Sequence, residues 1–166
     1  MNYSSIRKYD VANGLGVRTT LFVTGCKHCC PHCFNREIWD FTSGKLFDKE
    51  AKEKLFTYLS DSHVKGLSVL GGEPLMQGND MLILLKEVKE TFPTKDIWLW
   101  TGYYIDGREI LDDIQKSILE LCDYVVDGRF INDLKNPSLQ FRGSENQTIY
   151  KRDKESGVLV KLSTVF

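Results

Sequence analysis

An α/β fold built on an open, mainly parallel sheet is predicted by three features of the sequence. Strand-like and helix-like patterns alternate from about residue 17 onward. The strand centres near Val69, Trp98 and Val125 lie about 27 to 29 residues apart, close to the length of one βα unit. The chain has 166 residues, too few for a closed eight-stranded barrel, which needs about 250. That leaves a partial, open (β/α) barrel or an open α/β sheet, and in both ligands gather at the carboxyl ends of the strands.

The elements follow in order. VRTTLFVT, residues 17 to 24, is rich in β-branched and aromatic residues and reads as a strand feeding the loop TGCKHCCPHCFN. A helix starts behind Asp48, a good N-cap, with Ala51, Leu55, Phe56 and Leu59 on one face. GLSVL at 66 to 70 is a short buried strand, and NDMLILLKEVKETF at 79 to 92 is a helix that Pro93 stops. DIWLW at 96 to 100 is the next strand, with Trp98 and Trp100 on one face where core packing suits them. A helix near 107 to 121 would align Ile110, Ile114, Ile118 and Leu121, and DYVVD at 123 to 127 is a strand. Residues 1–166 are expected to form a single domain, with 128–166 a loop-rich C-terminal extension able to add a strand through GVLVKL at 157 to 162.

Composition narrows the function classes. Lys and Arg total 22 against 23 Asp and Glu, giving a net charge of −1 and no basic face for a nucleic acid. MNYSSIRKYD lacks the basic start and apolar core of a signal peptide, and apolar runs such as MLILL are too short to span a bilayer. A cytoplasmic protein without a membrane partner is expected, and there its five cysteines stay reduced. A tight thiol cluster in that setting points to a metal or catalytic site.

Two readings compete for the loop cysteines. Two abutting C-x2-C units, Cys26 with Cys29 and Cys30 with Cys33, could form a four-thiolate zinc site. Adjacent Cys29 and Cys30 make this hard, because neighbouring side chains of an extended segment point in opposite directions. Cys26, Cys30 and Cys33, spaced C-x3-C-x2-C, could instead bind three irons of a cubane cluster and leave the fourth open for chemistry. Cys29 is then a spare loop thiol and Cys122 a small core residue, while His28 and His32 read as loop residues.

This spacing at the start of a βα domain resembles the radical S-adenosylmethionine enzymes, and GGEP at 71 to 74 after a buried strand strengthens the likeness. NGLGVR at 13 to 18, WLWTGY at 98 to 103, VVDGRF at 125 to 130 and FRGSENQ at 141 to 147 look like the activating proteins of anaerobic ribonucleoside-triphosphate reductase. Leu15, His32 and Thr148 depart from that family's usual residues. The resemblance implies a partial, open barrel of radical S-adenosylmethionine type and one [4Fe-4S] cluster on Cys26, Cys30 and Cys33. It places S-adenosyl-L-methionine against His32, Cys33, Phe34, Gly71, Gly72 and Glu73, with Glu73 accepting from the cofactor's ammonium. Reductive cleavage of the cofactor would give a 5′-deoxyadenosyl radical that takes hydrogen from a glycine of the reductase, leaving a glycyl radical. Reduced flavodoxin or a similar protein would donate the electron. No residue beyond the cluster and cofactor is expected to act as acid or base.

Arg129, Arg142 and the SENQ segment are candidates for the partner surface, and Tyr103 for approach to the cofactor. The alternatives are an activase of another glycyl radical enzyme, such as pyruvate formate-lyase, or a zinc-binding interaction module.

Overall fold

The computed structural model describes residues 1–163. In chain order its elements are β1 (Asn2–Asp10), β2 (Arg18–Val23), β3 (Lys45–Leu46), α1 (Lys49–Leu59), β4 (Gly66–Gly71), α2 (Asn79–Thr91), β5 (Asp96–Trp100), α3 (Asp113–Glu120), β6 (Tyr124–Asp127), β7 (Thr148–Arg152) and β8 (Leu159–Lys161). All eight strands share one open sheet, ordered β3-β1-β2-β4-β5-β6-β7-β8. The central strands β2, β4, β5 and β6 run parallel. Antiparallel strands flank them on both sides, so the sheet is mixed and not mainly parallel.

The helices form where their caps and apolar stripes dictate. Asp48 accepts from the Ala51 N–H at 2.9 Å and opens α1, which buries Ala51, Leu55 and Leu59. The second helix buries Met81, Leu84, Leu85 and Val88 and ends just before Pro93. The third is shorter than its sequence suggests. Asp112 and Gln115 close a capping box that starts it at Asp113, whereas Gly107, at φ 95°, turns the preceding segment out of helical geometry. Ile110 consequently lies in a loop, 98 % exposed, and not on the helix face.

Alternation along β5 divides the interior. Ile97 and Leu99 join Leu21, Val69, Val125 and the apolar stripes of all three helices in the main core. Trp98 lies on the opposite face in a smaller cluster with Val126 and Ile149, against which Leu15, Trp100 and Phe141 pack. No helix contributes to that second cluster among the described residues, so loops alone cover this face.

A buried cation fixes the amino ends of the parallel strands. Arg18, fully buried, pairs with Asp96 at 2.6 Å and donates to Ser68 Oγ at 2.7 Å and the Leu67 carbonyl at 2.9 Å. It also donates to the Leu15 carbonyl at 3.1 Å, while Ser68 Oγ donates to the Asn13 carbonyl at 2.6 Å. The NGLGVR stretch is thus tied to the amino ends of the parallel strands, while Asn13 at its start also lines the cavity that holds Cys26, Cys30 and Cys33. Among the described residues no helix is long and apolar enough to cross a membrane.

Candidate functional site

At the carboxyl ends of β2, β4, β5 and β6 the following loops converge on a cavity of about 480 Å³. Its wall includes Cys26, Cys30 and Cys33, together with Phe34, Gly71, Gly72 and Glu73. Cys29 is exposed and does not line it.

Backbone conformation sorts the thiols. Cys29 at φ 51° and His32 at φ 60° sit in the left-handed region, uncommon for residues with a Cβ. Between them the chain folds back, and the Cys33 N–H donates to the Cys30 carbonyl at 3.1 Å. The loop is anchored at its base by Gly25 N–H to the Ile38 carbonyl, 2.7 Å, and Cys26 N–H to the Trp39 carbonyl, 2.9 Å. Burial pushes the Cys26 thiol up to about 11 and raises that of Cys30 as well. Both are neutral thiols at pH 7 unless a metal takes the place of the proton, and loading releases those protons.

The donor set fits an iron–sulfur cluster. Three soft thiols line one wall, while Cys122 is buried under α3, donating to the Ile118 carbonyl at 3.3 Å. Among the described residues no group of three His, Cys, Asp or Glu side chains surrounds a single-ion position. A cubane carries its protein sulfurs on different irons, so it does not require three ligands around a single ion.

The glycine turn is stitched to the cysteine loop through its backbone. Gly72 N–H donates to the Val23 carbonyl and Glu73 N–H to the Gly25 carbonyl, each at 2.8 Å. Among the described residues no backbone N–H donates to the Gly72 carbonyl, which is the group the turn can offer a ligand. Asn35 Nδ2 donates to the Gly71 carbonyl at 3.4 Å, tying the far side of the loop to the same turn.

Glu73 is 1 % exposed and already has four partners. Oε1 accepts from the Leu75 N–H at 2.9 Å and Thr101 Oγ1 at 2.8 Å. Oε2 lies 2.9 Å from His28 Nε2 and accepts from the Gly102 N–H at 2.7 Å. A carboxylate has about four acceptor positions, and protein groups occupy that number here. Sequence reasoning places the cysteine loop and TGY at 101 to 103 on loops leaving parallel strands, but it gives His28, Thr101 and Gly102 no link to Glu73.

The other sequence candidates separate. Phe34 reaches the cavity, its ring 5.0 Å from that of Phe130, although it is 65 % exposed. His32 is exposed and off the wall. Tyr103 also lies off the wall, edge-on to His28 at 4.7 Å. Trp98 is core, whereas Trp100 lines the cavity and donates to the Phe141 carbonyl at 2.7 Å.

Arg129 and Arg142 both line the cavity. Arg129 pairs with Glu109, whose carboxyl burial acts to raise; the Tyr104 N–H and Arg129 outweigh it and hold it below the usual range. The SENQ segment is inward-tied. Asn146 Nδ2 donates to Tyr104 Oη at 3.0 Å and the Arg129 carbonyl at 2.7 Å, and Gln147 Nε2 to the Gly128 carbonyl at 2.9 Å. Asn146→Ala is expected to cost about 1 to 3 kcal/mol in chemical denaturation by leaving these groups short of a donor.

A family model described as a 4Fe-4S single cluster domain matches residues 12–150. The anaerobic ribonucleoside-triphosphate reductase-activating protein of Escherichia coli (strain K12) is 42% identical over 154 residues, covering 90% of this chain and 98% of that protein. Its namesake from Vibrio cholerae serotype O1 is 43% identical over 155 residues, covering 91% and 98%. That of Enterobacteria phage T4 is 41% identical over 152 residues, covering 90% and 94%.

Proposed function

The chain belongs to the anaerobic ribonucleoside-triphosphate reductase-activating proteins and has a 4Fe-4S single cluster domain, and from this premise we propose that it activates the reductase by radical S-adenosylmethionine chemistry. One observation carries the reading. Three of the four loop cysteines share a cavity with Gly71, Gly72 and Glu73, and the fourth does not.

Cys26, Cys30 and Cys33 would hold the [4Fe-4S] cluster and leave one iron without a protein ligand. When bound, the cluster supplies the electron that cleaves S-adenosyl-L-methionine to methionine and a 5′-deoxyadenosyl radical, which takes a hydrogen atom from a glycine of the reductase. The chain's own work is placement. Gly71 and Gly72, having no Cβ, let the turn pack directly on the backbone of Val23 and Gly25, and the Gly72 carbonyl is an acceptor suited to an ammonium. Phe34 with Phe130 gives an apolar wall beside the thiols. The backbone at His32 turns the chain so that Cys33 can join Cys30 on that wall.

The open sheet is read as a partial barrel of radical S-adenosylmethionine type, forming a single domain with 128–166 as its C-terminal extension. An unclosed edge leaves room for a protein loop carrying the target glycine, and the partner would complete the wall and exclude water. Reduced flavodoxin or a similar protein would supply the electron.

The test is anaerobic reconstitution with iron and sulfide, followed by incubation with S-adenosylmethionine, reductant and the reductase. The expected results are a glycyl radical signal in electron paramagnetic resonance and 5′-deoxyadenosine in the product mixture. About one zinc per chain with no iron or sulfide would overturn the reading. A radical on pyruvate formate-lyase and none on the reductase would reassign the partner.

A further inference from the structure

We infer that His28 and Glu73 are a positioning pair: the Glu73 carboxylate acts through His28 to set the cysteine loop against the glycine turn, and does not itself bind the cofactor's ammonium. This rests on the cluster and cofactor reading above.

The contact joins segments far apart in sequence. His28 lies between Cys26 and Cys30, while Glu73 follows Gly71 and Gly72, so their 2.9 Å link couples the loop of two cavity-lining thiols to the glycine turn. It is sheltered from water, with side chains 6 % and 1 % exposed. Glu73 also gathers the loop after β5 through Thr101 and Gly102 and its own turn through Leu75, so three rim segments meet at its carboxylate.

Packing holds the imidazole in place from the other side. A Cβ at Gly102 would lie 2.5 Å from His28 Cδ2, so this position needs glycine for the ring to fit. Tyr103 closes the remaining edge. With Glu73's acceptor positions taken by protein donors, backbone carbonyls such as that of Gly72 are left for an ammonium. Groups that orient metal ligands without touching the metal change affinity by about 10- to 100-fold when they are removed.

A double-mutant cycle tests this in the anaerobically reconstituted protein. His28→Leu, His28→Gln, Glu73→Gln and the double variant His28→Leu/Glu73→Gln are compared by S-adenosylmethionine affinity and by the resonance spectrum of the reduced cluster with and without cofactor. His28→Leu fills the space without the hydrogen bond and is expected to weaken cofactor binding about tenfold or more and alter the spectrum. Glu73→Gln should match it, the double variant should be no worse than either single, and His28→Gln, which can still donate, should recover most of the loss. Weak binding in Glu73→Gln beside unchanged binding in His28→Leu would overturn the inference, because Glu73 would then act by a route other than His28. A fall in thermal stability alone, with affinity and spectrum intact in His28→Leu, would reduce the pair to packing and overturn it too. If the unaltered protein shows no cofactor-induced spectral change, the cluster and cofactor reading fails, and this assignment with it.

Discussion

Cys30→Ala is expected to lose the iron–sulfur cluster and all activating ability, while Cys29→Ala retains both. The two residues are adjacent and chemically identical, so only geometry can separate them. Cys30 lines the cavity with Cys26 and Cys33, and its thiol is raised by burial. Cys29 is exposed, with a left-handed backbone that turns the chain at that point. An exposed thiol that makes no buried contact contributes little, and its removal should change stability by no more than about 0.5 kcal/mol. Iron and sulfide content after anaerobic reconstitution, with the resonance spectrum of the reduced protein, provides the measurement. Equal loss in the two variants would show that a different set of sulfurs binds the cluster.

Much of the central architecture was legible because strong local signals and tertiary packing agree there. DIWLW reads as a strand from its composition and is one at Asp96–Trp100; Asp48 reads as an N-cap and is one. The first strand was not legible. NYSSIRKYD is largely polar and half-exposed, and its pairing with β2 comes from register across the sheet, not from an apolar pattern of its own. β7 was hidden similarly, since TIYKR follows the polar stretch FRGSENQ and buries only Ile149. Ile110 shows the opposite failure. It matches a helical apolar period, yet Gly107 and the Asp112 cap decide where the helix begins.

At the site, residue type was readable and partnership was not. Cysteine spacing, the paired glycines and Phe34 all stand out in one dimension. The four partners of Glu73 come from three loops, brought together only when β2, β4 and β5 align, and two histidines among the cysteines give no sign of which one will meet a carboxylate. The SENQ stretch resembles a solvated, partner-seeking loop, but its Asn146 and Gln147 bind the DGRF turn that walls the cavity. Its distinctive composition is accounted for by internal hydrogen bonds, so residues there shape the opening before any partner arrives.

Gly72→Ala should disable cofactor binding through a single methyl group. A Cβ at this position would stand 2.5 Å from the Gly25 carbonyl oxygen and 3.0 Å from the Gly25 carbonyl carbon and nitrogen. All three are backbone atoms, which cannot rotate away like the end of a side chain. Relief requires the glycine turn and the base of the cysteine loop to separate, straining the Glu73 N–H bond to Gly25 that joins them. Overpacking of this kind costs about 1 to 3 kcal/mol, measurable by chemical denaturation. The same separation would draw Glu73 away from His28 and shift Cys26 relative to the Gly72 carbonyl, so cofactor affinity should fall with stability. Gly107→Ala is the control: open space surrounds its Cβ position, but φ 95° disfavours alanine, so it should cost about 1 to 2 kcal/mol without changing the cofactor-induced spectrum. Were Gly72→Ala to bind S-adenosylmethionine as tightly as the parent, the close contact between turn and loop would have no part in building the cofactor site.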